Sequence, residues 1–151
     1  MKTLILLLTL FSFSYSETYT FLVNKYDKEI ELEAKIIAKI ATSSIHQKIK
    51  LYIPEITEIE KKIYSDYFIL SSTCENSNFV FVKKSIENKK LCKGANKLFF
   101  TNNYQKLLTD KKYYGAFFWN KSRPNIVFIK NRLRQKKITL PKSYDQFIED
   151  F

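Results

Sequence analysis

Short runs that are apolar at almost every position constrain the fold of this chain more than any other feature. The segments Lys97–Phe100 and Phe117–Trp119 carry Leu, Phe and Trp side chains at consecutive positions. Because successive side chains of a β-strand point to opposite faces, such a run needs apolar cover on both faces of its sheet. The pattern therefore predicts a sheet that lies between layers of helices.

The first half of the chain alternates between helical and extended patterns. Residues 28–44 predict an amphipathic helix, and the alternation over 48–53 predicts a strand. Thr57 and Glu60 have the spacing of a capping box, which predicts a helix that ends near Tyr64. The apolar stripe of the first helix consists of Ile30, Ala34, Ile37, Ala41 and Ile45.

The second half predicts further strands and short helices. Strands are predicted at 67–70, 79–82 and 97–100, and a helix capped by Thr101 or Asn102 runs through Leu108. A hairpin follows, with strands at 113–119 and 125–129 joined by a turn at 120–124. A helix then begins at Lys130, and Ser143 caps a last helix at 144–150. We expect an α/β domain with a mixed sheet of about six strands and helices on both faces, which is a three-layer sandwich.

The N-terminus has the three parts of a secretory signal peptide. Lys2 precedes a run of about ten apolar residues, and Ser14 and Ser16 form a small-x-small cleavage site before Glu17. The run is too short for a membrane span, which needs about twenty apolar residues. We therefore expect residues 1–16 to be a signal peptide and residues 17–151 to be one exported, periplasmic domain.

The formal charge of +11 has two explanations. Attraction to an anionic surface is one, and the coding bias of an A/T-rich genome is the other, since Ile, Asn, Phe and Tyr are also abundant. Arg123, Arg132 and Arg134 are the only arginines among 26 basic residues, whereas recognition of phosphates and bases favours Arg. We therefore do not expect a nucleic-acid partner.

Cys74 and Cys92 are the only cysteines. In an exported domain an even number of cysteines predicts a disulfide, which here would close a loop of about nineteen residues and stabilise the fold by about 3 kcal/mol. Two buried thiols or half of a metal site are the alternatives.

No pattern for catalysis emerges from the sequence. The single histidine, His46, lies at the end of the first helix, where a surface or capping role is expected. The acidic groups at 29–33, 55–60 and 149–150 fall on helix faces or helix ends, where solvated charge is the ordinary explanation. Metal-ligand spacing and glycine-rich phosphate loops are absent from the sequence. The sequence therefore predicts a non-enzymatic binding or regulatory protein without a cofactor.

The most unusual segment combines aromatic and cationic residues around the predicted hairpin turn. Trp119, Lys121, Arg123 and Asn125 are the candidate contacts for a ligand or partner, because an indole, cations and an amide suit a carboxylate, a flat ring or a protein surface. Core packing is the competing explanation for Trp119.

The same segment resembles the C-terminal end of YfiR-like periplasmic domains. The similar features are Gly115-Ala116-Phe117-Phe118-Trp119, a polar turn, Ile126-Val127-Phe128-Ile129, then Leu133 and Ile138-Thr139-Leu140 before a last short helix. Cys92 followed by Leu98-Phe99-Phe100, and the helix and strand within 28–53, are also similar. The chain departs from the pattern at Pro141 and lacks a strand between 108 and Gly115.

The resemblance implies a periplasmic protein that dimerises and restrains an inner-membrane diguanylate cyclase. Two other functions fit the sequence. One is a solute-binding module for a small acidic or aromatic ligand, and the other is an envelope protein that binds anionic lipid through its lysines.

Overall fold

The computed structural model describes residues 16–84, 91–94 and 96–151, with side chains from Lys25 onward. The predicted signal peptide lies outside the described residues except for Ser16. Within the described part of the chain, no helix combines the length and the apolar character that crossing a membrane requires.

The first helix, α1, spans Ser16–Ser44 and is longer than the predicted 28–44. Residues 16–27 contain neither Pro nor Gly, so nothing in the backbone stops the helix before its apolar stripe begins. The predicted stripe is confirmed, since Ala34, Ile37 and Ala41 are fully buried against the sheet.

The remaining elements build one sheet. They are β1 (Lys50–Tyr52), α2 (Glu58–Ser65), β2 (Ile69–Leu70), β3 (Phe79–Val82), β4 (Leu98–Thr101), α3 (Tyr104–Thr109), β5 (Tyr113–Asn120), β6 (Arg123–Ile129), α4 (Lys130–Gln135), a 3₁₀ helix (Lys142–Phe147) and β7 (Ile148–Glu149). The seven strands lie in the order β2-β1-β3-β4-β5-β6-β7. The first five are parallel, β6 is antiparallel to β5, and β7 is parallel to β6. The predicted α/β class with a mixed sheet is confirmed.

The sheet has an apolar core on each face. Phe79 and Phe81 of β3 pack on the face that α1 and α2 cover. The alternate residues Val80 and Val82 pack on the other face with Leu107 of α3. Strands that are apolar at every position are therefore covered on both sides, as their sequence predicts.

Gly115 of β5 leaves room for two phenylalanine rings in this core. A Cβ atom at this position would lie 2.5 Å from Cε2 of Phe100 and 2.7 Å from Cδ1 of Phe128. No side chain fits there, so the packing of two phenylalanine rings explains the glycine.

The capping box is confirmed, but two other predicted helix caps are wrong. Thr57 and Glu60 cap α2 as predicted. The side chain of Asn103, rather than Thr101 or Asn102, caps α3, because Thr101 is still the buried last residue of β4.

Residues 144–150 do not form the predicted α-helix, and Ser143 is not its cap. A 3₁₀ helix packs Tyr144 on Phe128, and Ile148 then pairs with β6 as part of a seventh strand. The hydrogen bonds of the sheet edge replace those of a short helix.

The hairpin between β5 and β6 is tighter than predicted. Asn120 pairs with Arg123, so the turn consists of Lys121 and Ser122 alone rather than of residues 120–124. Both turn residues have positive φ, at 48° and 61°, as a two-residue type I′ hairpin turn requires.

Candidate functional site at the carboxyl edge of the sheet

The carboxyl ends of β1 and β3 form the topological switch point of the sheet. The chain passes from β1 outward to β2 and then returns to β3 on the other side of β1. In open α/β sheets, ligands bind in the crevice that such a reversal leaves beyond the strand ends. The side chains that follow these strands are therefore candidates for a site.

Glu60 reaches this edge because of the capping box of α2. Its Oε2 atom accepts a hydrogen bond from the Thr57 backbone N–H at 2.9 Å, and the Thr57 hydroxyl accepts one from the Glu60 N–H at 3.3 Å. The carboxylate is thereby turned back toward the end of β1, and its Oε1 atom accepts a hydrogen bond from Nζ of Lys83.

Lys83 follows β3 directly, and the end of β4 holds its backbone in place. The Thr101 hydroxyl donates to the Val82 carbonyl at 2.8 Å, and Oδ1 of Asn102 accepts from the Lys84 backbone N–H. The backbone of Lys83 is therefore fixed, and its ammonium group contacts α1 as well as α2.

Glu33 of α1 completes the acid–lysine cluster, which consists of Glu33, Glu60, Tyr64 and Lys83. Nζ of Lys83 lies 3.7 Å from Oε1 of Glu33, and the Tyr64 hydroxyl donates to the same oxygen at 2.7 Å. The Lys83 ammonium also lies 5.6 Å from the centre of the Tyr64 ring. The cluster joins α1, α2 and β3 through charged hydrogen bonds.

The expectation that all the acidic groups are solvated is wrong for two of them. Glu33 and Glu60 are only 7% and 6% exposed. Glu58, in contrast, is exposed as expected. A signal was present in the sequence, because Glu33 lies three residues after Ile30 and four before Ile37, within the apolar stripe.

The two carboxyl groups differ in their affinity for protons. Burial raises the pKa of Glu33, against the attraction of Lys83 and the hydrogen bond from Tyr64. Burial also opposes ionisation of Glu60, but the hydrogen bonds from Lys83 and from the Thr57 backbone outweigh it and lower the pKa of this carboxyl. Burial and the charge of Glu33 raise the pKa of Tyr64 well above its usual value. The fold therefore favours ionisation of Glu60 and opposes ionisation of Glu33.

A groove with a volume of about 350 Å³ opens above the cluster. We call it the carboxyl-edge groove. Its walls are Tyr26, Glu29, Ile30, Glu33, Glu60, Lys83, Lys84, Asn102 and Trp119. The cluster residues form hydrogen bonds to one another, whereas Glu29 and Lys84 form no ion pair with the described residues. Charges of both signs that have no ion-pair partner among the described residues therefore border the groove beside an indole.

The structure separates the predicted contact residues. Trp119 lines the groove, is half-buried and packs edge-on against Phe117 with ring centres 5.6 Å apart. Arg123 and Asn125 pair with Asn120 and Phe118, so alternation along the strands places them on the opposite face from Trp119.

Lys121 and Arg123 are instead exposed at the hairpin. The amide of Asn125 donates to the Arg123 carbonyl at 2.9 Å. These residues therefore form a cationic hairpin tip that is separate from the groove.

Cys74 and Cys92 lie at disulfide-bonding distance, with Cα atoms 5.7 Å apart. They join the loop that enters β3 to the loop that enters β4. Nζ of Lys97 ties the same region by donating to the carbonyls of Glu75 and Ser77 at 2.7 and 2.5 Å. His46 is exposed just beyond the end of α1.

The groove presents an indole, an amide and charged side chains of both signs. The hydrogen bonds within the cluster already occupy its ammonium group, and the cluster therefore fixes the shape of the groove. Within residues 16–84, 91–94 and 96–151, no group of three His, Cys, Asp or Glu side chains could hold a metal ion. Comparisons of the chain with protein-family models, curated proteins and solved structures find no match.

Proposed function

We propose that this chain is an exported, non-catalytic binding protein of the periplasm that holds a small ligand in the carboxyl-edge groove. The observation that carries the proposal is the position of Trp119, which places a half-buried indole in the same groove as Glu29 and Lys84, two charges without an ion-pair partner in the described part of the chain. The acid–lysine cluster beneath them supplies a rigid floor, and a preorganised floor lowers the entropic cost of binding.

The groove suits an aromatic ligand that carries a carboxylate and an amine. A flat ring stacks favourably against an indole. The Lys84 ammonium and the Asn102 amide can hold a carboxylate, and the Glu29 carboxylate can hold an amine. A free aromatic amino acid has all three groups, which narrows the expected small acidic or aromatic ligand to one chemical class.

Fluorescence offers a direct test, because Trp119 is the only tryptophan in the chain. Excitation of the indole during titration with phenylalanine should give a saturable change in emission, with weaker binding of phenylacetate and phenethylamine, which each lack one charge. Lys84→Gln should weaken phenylacetate binding more than phenethylamine binding, and Glu29→Gln should do the reverse. Lys142→Gln, an exposed change far from the groove, is the control. Equal affinities for all three compounds, or no response, would refute the ligand assignment.

We further propose that the protein passes this binding event to an envelope partner through the hairpin tip, as YfiR-like domains restrain a membrane diguanylate cyclase. The observation in favour is the exposure of Lys121 and Arg123 on a tight turn. A rigid turn of this kind presents its cations to a partner with little loss of entropy.

Co-purification from envelope extract tests this partner. The intact protein should retain a membrane diguanylate cyclase identified by mass spectrometry, and the double variant Lys121→Ala with Arg123→Ala should lose it. Lys25→Ala with Lys142→Ala removes the same charge elsewhere and should retain it. Equal loss in both double variants would show attraction by net charge alone.

Export is tested separately. Mass spectrometry of the periplasmic protein should find a mature chain that begins at Glu17. Full-length protein in the membrane fraction would show that the N-terminal run is an anchor.

A further inference from the structure

A second and larger cavity, of about 790 Å³, lies at the opposite end of the sheet. It forms where the ends of α1 and α4 meet the start of β4 and the segment before β5. Its lining residues are Ser44, Ile45, His46, Gln47, Asn96, Leu98, Lys111, Gln135, Lys136, Lys137 and Ile138. We call it the basic cavity.

The charges around the basic cavity have one sign. Lys111, Lys136 and Lys137 contribute three ammonium groups, and none of the described lining residues is Asp or Glu. These three lysines form no ion pair with the described residues. Lysines elsewhere in the fold do find partners, as Lys83, Lys112 and Lys130 show. Mutual repulsion of three cations therefore remains uncompensated within the described structure.

The end of α4 holds two of these lysines in place. The Ile138 N–H donates to the Leu133 carbonyl at 2.9 Å, and the Lys137 N–H donates to the Arg134 carbonyl at 3.1 Å. This hydrogen-bonded turn is the usual end of a helix and fixes the backbone of both lysines.

Lys136 is partly buried in this turn. Burial lowers the pKa of Lys136, because the ammonium has lost water without gaining a carboxylate. The nearby ends of α1 and α4 each present at most about half a negative charge, so they offset only part of the charge of three lysines.

We propose that the basic cavity binds a small, multiply charged oxyanion, such as a diphosphate or a tricarboxylate. Such an anion would neutralise the three ammonium groups together, and the amides of Gln47, Asn96 and Gln135 can donate further hydrogen bonds. The volume is typical of small-molecule sites. The cavity lies at the amino edge of β4 and β5 and shares no lining residue with the carboxyl-edge groove.

Calorimetry with inorganic diphosphate and with citrate, at constant ionic strength, tests this site. Both should bind with a stoichiometry of about one and raise the melting temperature with the logarithm of ligand concentration above the Kd, as linkage requires. The triple variant Lys111→Gln, Lys136→Gln, Lys137→Gln should bind more than about tenfold more weakly, which corresponds to about 1.4 kcal/mol.

A matched triple variant separates a site from overall charge. Lys25, Lys39 and Lys142 are exposed and do not line the basic cavity. Changing them to Gln removes the same charge and should leave diphosphate affinity within about twofold. Equal weakening in both triple variants would overturn the proposal, as would the absence of diphosphate and citrate binding. Binding to phosphatidylglycerol vesicles without binding to either free anion would assign the lysines to a membrane surface instead. Lys84→Gln, which changes the carboxyl-edge groove, should leave diphosphate affinity unchanged even if it abolishes phenylalanine binding.

Discussion

The lysines at the two ends of the sheet have different surroundings. At the carboxyl edge, Lys83 is nearly buried, and two carboxylates and a tyrosine surround it. At the amino edge, Lys111, Lys136 and Lys137 border a cavity with no described carboxylate. The charge of one end is satisfied within the fold, and the charge of the other is available to a ligand.

The two ends also differ in what holds them together. Charged hydrogen bonds join α1, α2 and β3 at the carboxyl edge, whereas Cys74 and Cys92 and the contacts of Lys97 join the loops that enter β3 and β4. Proton concentration should therefore affect the first region, and a reducing agent should affect the second. The overall charge of the chain gives no indication of this difference.

Among the ionic contacts, the removal of the central cation should have the largest effect on stability. Lys83→Met leaves Glu33 and Glu60 buried without a counter-ion, and loss of one partner from a buried ion pair costs about 3 kcal/mol or more. Urea unfolding should show this loss. Lys61→Met is the control, because Lys61 and Glu58 are exposed and 3.9 Å apart, and an exposed pair of this kind contributes less than about 1 kcal/mol. Similar losses in the two variants would show that the cluster does not join the helices.

Loss of the disulfide between Cys74 and Cys92 should also destabilise the fold. Cys92→Ser should lower the free energy of unfolding by about 2–4 kcal/mol, because the unfolded chain gains conformational freedom. A reducing agent should destabilise the intact protein by a similar amount and have no effect on Cys74→Ser with Cys92→Ser. Two free thiols in protein purified from the periplasm would contradict the pairing.

Two neighbouring aromatic residues should separate stability from binding. Phe117 is fully buried, so Phe117→Ala should cost about 3–5 kcal/mol, whereas Trp119→Ala should cost less than about 2 because the indole is partly exposed. Trp119→Ala should nevertheless abolish phenylalanine binding, measured by calorimetry. A loss of about 3 kcal/mol or more for Trp119→Ala would identify it as a core residue and remove the basis of the groove assignment.

The smallest effect should be a pH dependence of opposite sign for the two buried carboxyl groups. The fold raises the pKa of Glu33. The free energy of unfolding should therefore fall as pH rises from the ordinary pKa of a glutamate to the higher pKa of Glu33 in the fold. Glu33→Gln should therefore gain stability relative to the intact protein across that range.

Glu60 should show the reverse. Its pKa is lowered in the fold, so its contribution is present above its ordinary pKa and disappears as pH falls through the folded value. Glu60→Gln should therefore lose stability at neutral pH and approach the intact protein in acid. Urea unfolding between pH 3 and pH 8 measures both, and parallel curves for the two variants would contradict the division of charge within the cluster.

Local patterns determined most of the fold. The stripe of α1, the capping box of Thr57 and Glu60, and the fully apolar strands specify their elements through contacts within a few residues. The predicted boundaries fail where the sheet competes with local preference, as at Ile148, which joins β6 instead of extending a helix.

The candidate sites depend on contacts between residues that are distant in sequence. The amino-acid sequence by itself determined α1 to α4, the strands of the core and the importance of Trp119 as a candidate. Only the tertiary structure brought Glu33, Glu60 and Lys83 together, since they come from α1, α2 and the end of β3. It likewise placed Arg123 and Asn125 on the other face from Trp119, and collected Lys111, Lys136 and Lys137 around one cavity. The physical reason is that the environment of a charge depends on which residues surround it after folding, and distance along the chain does not specify those neighbours.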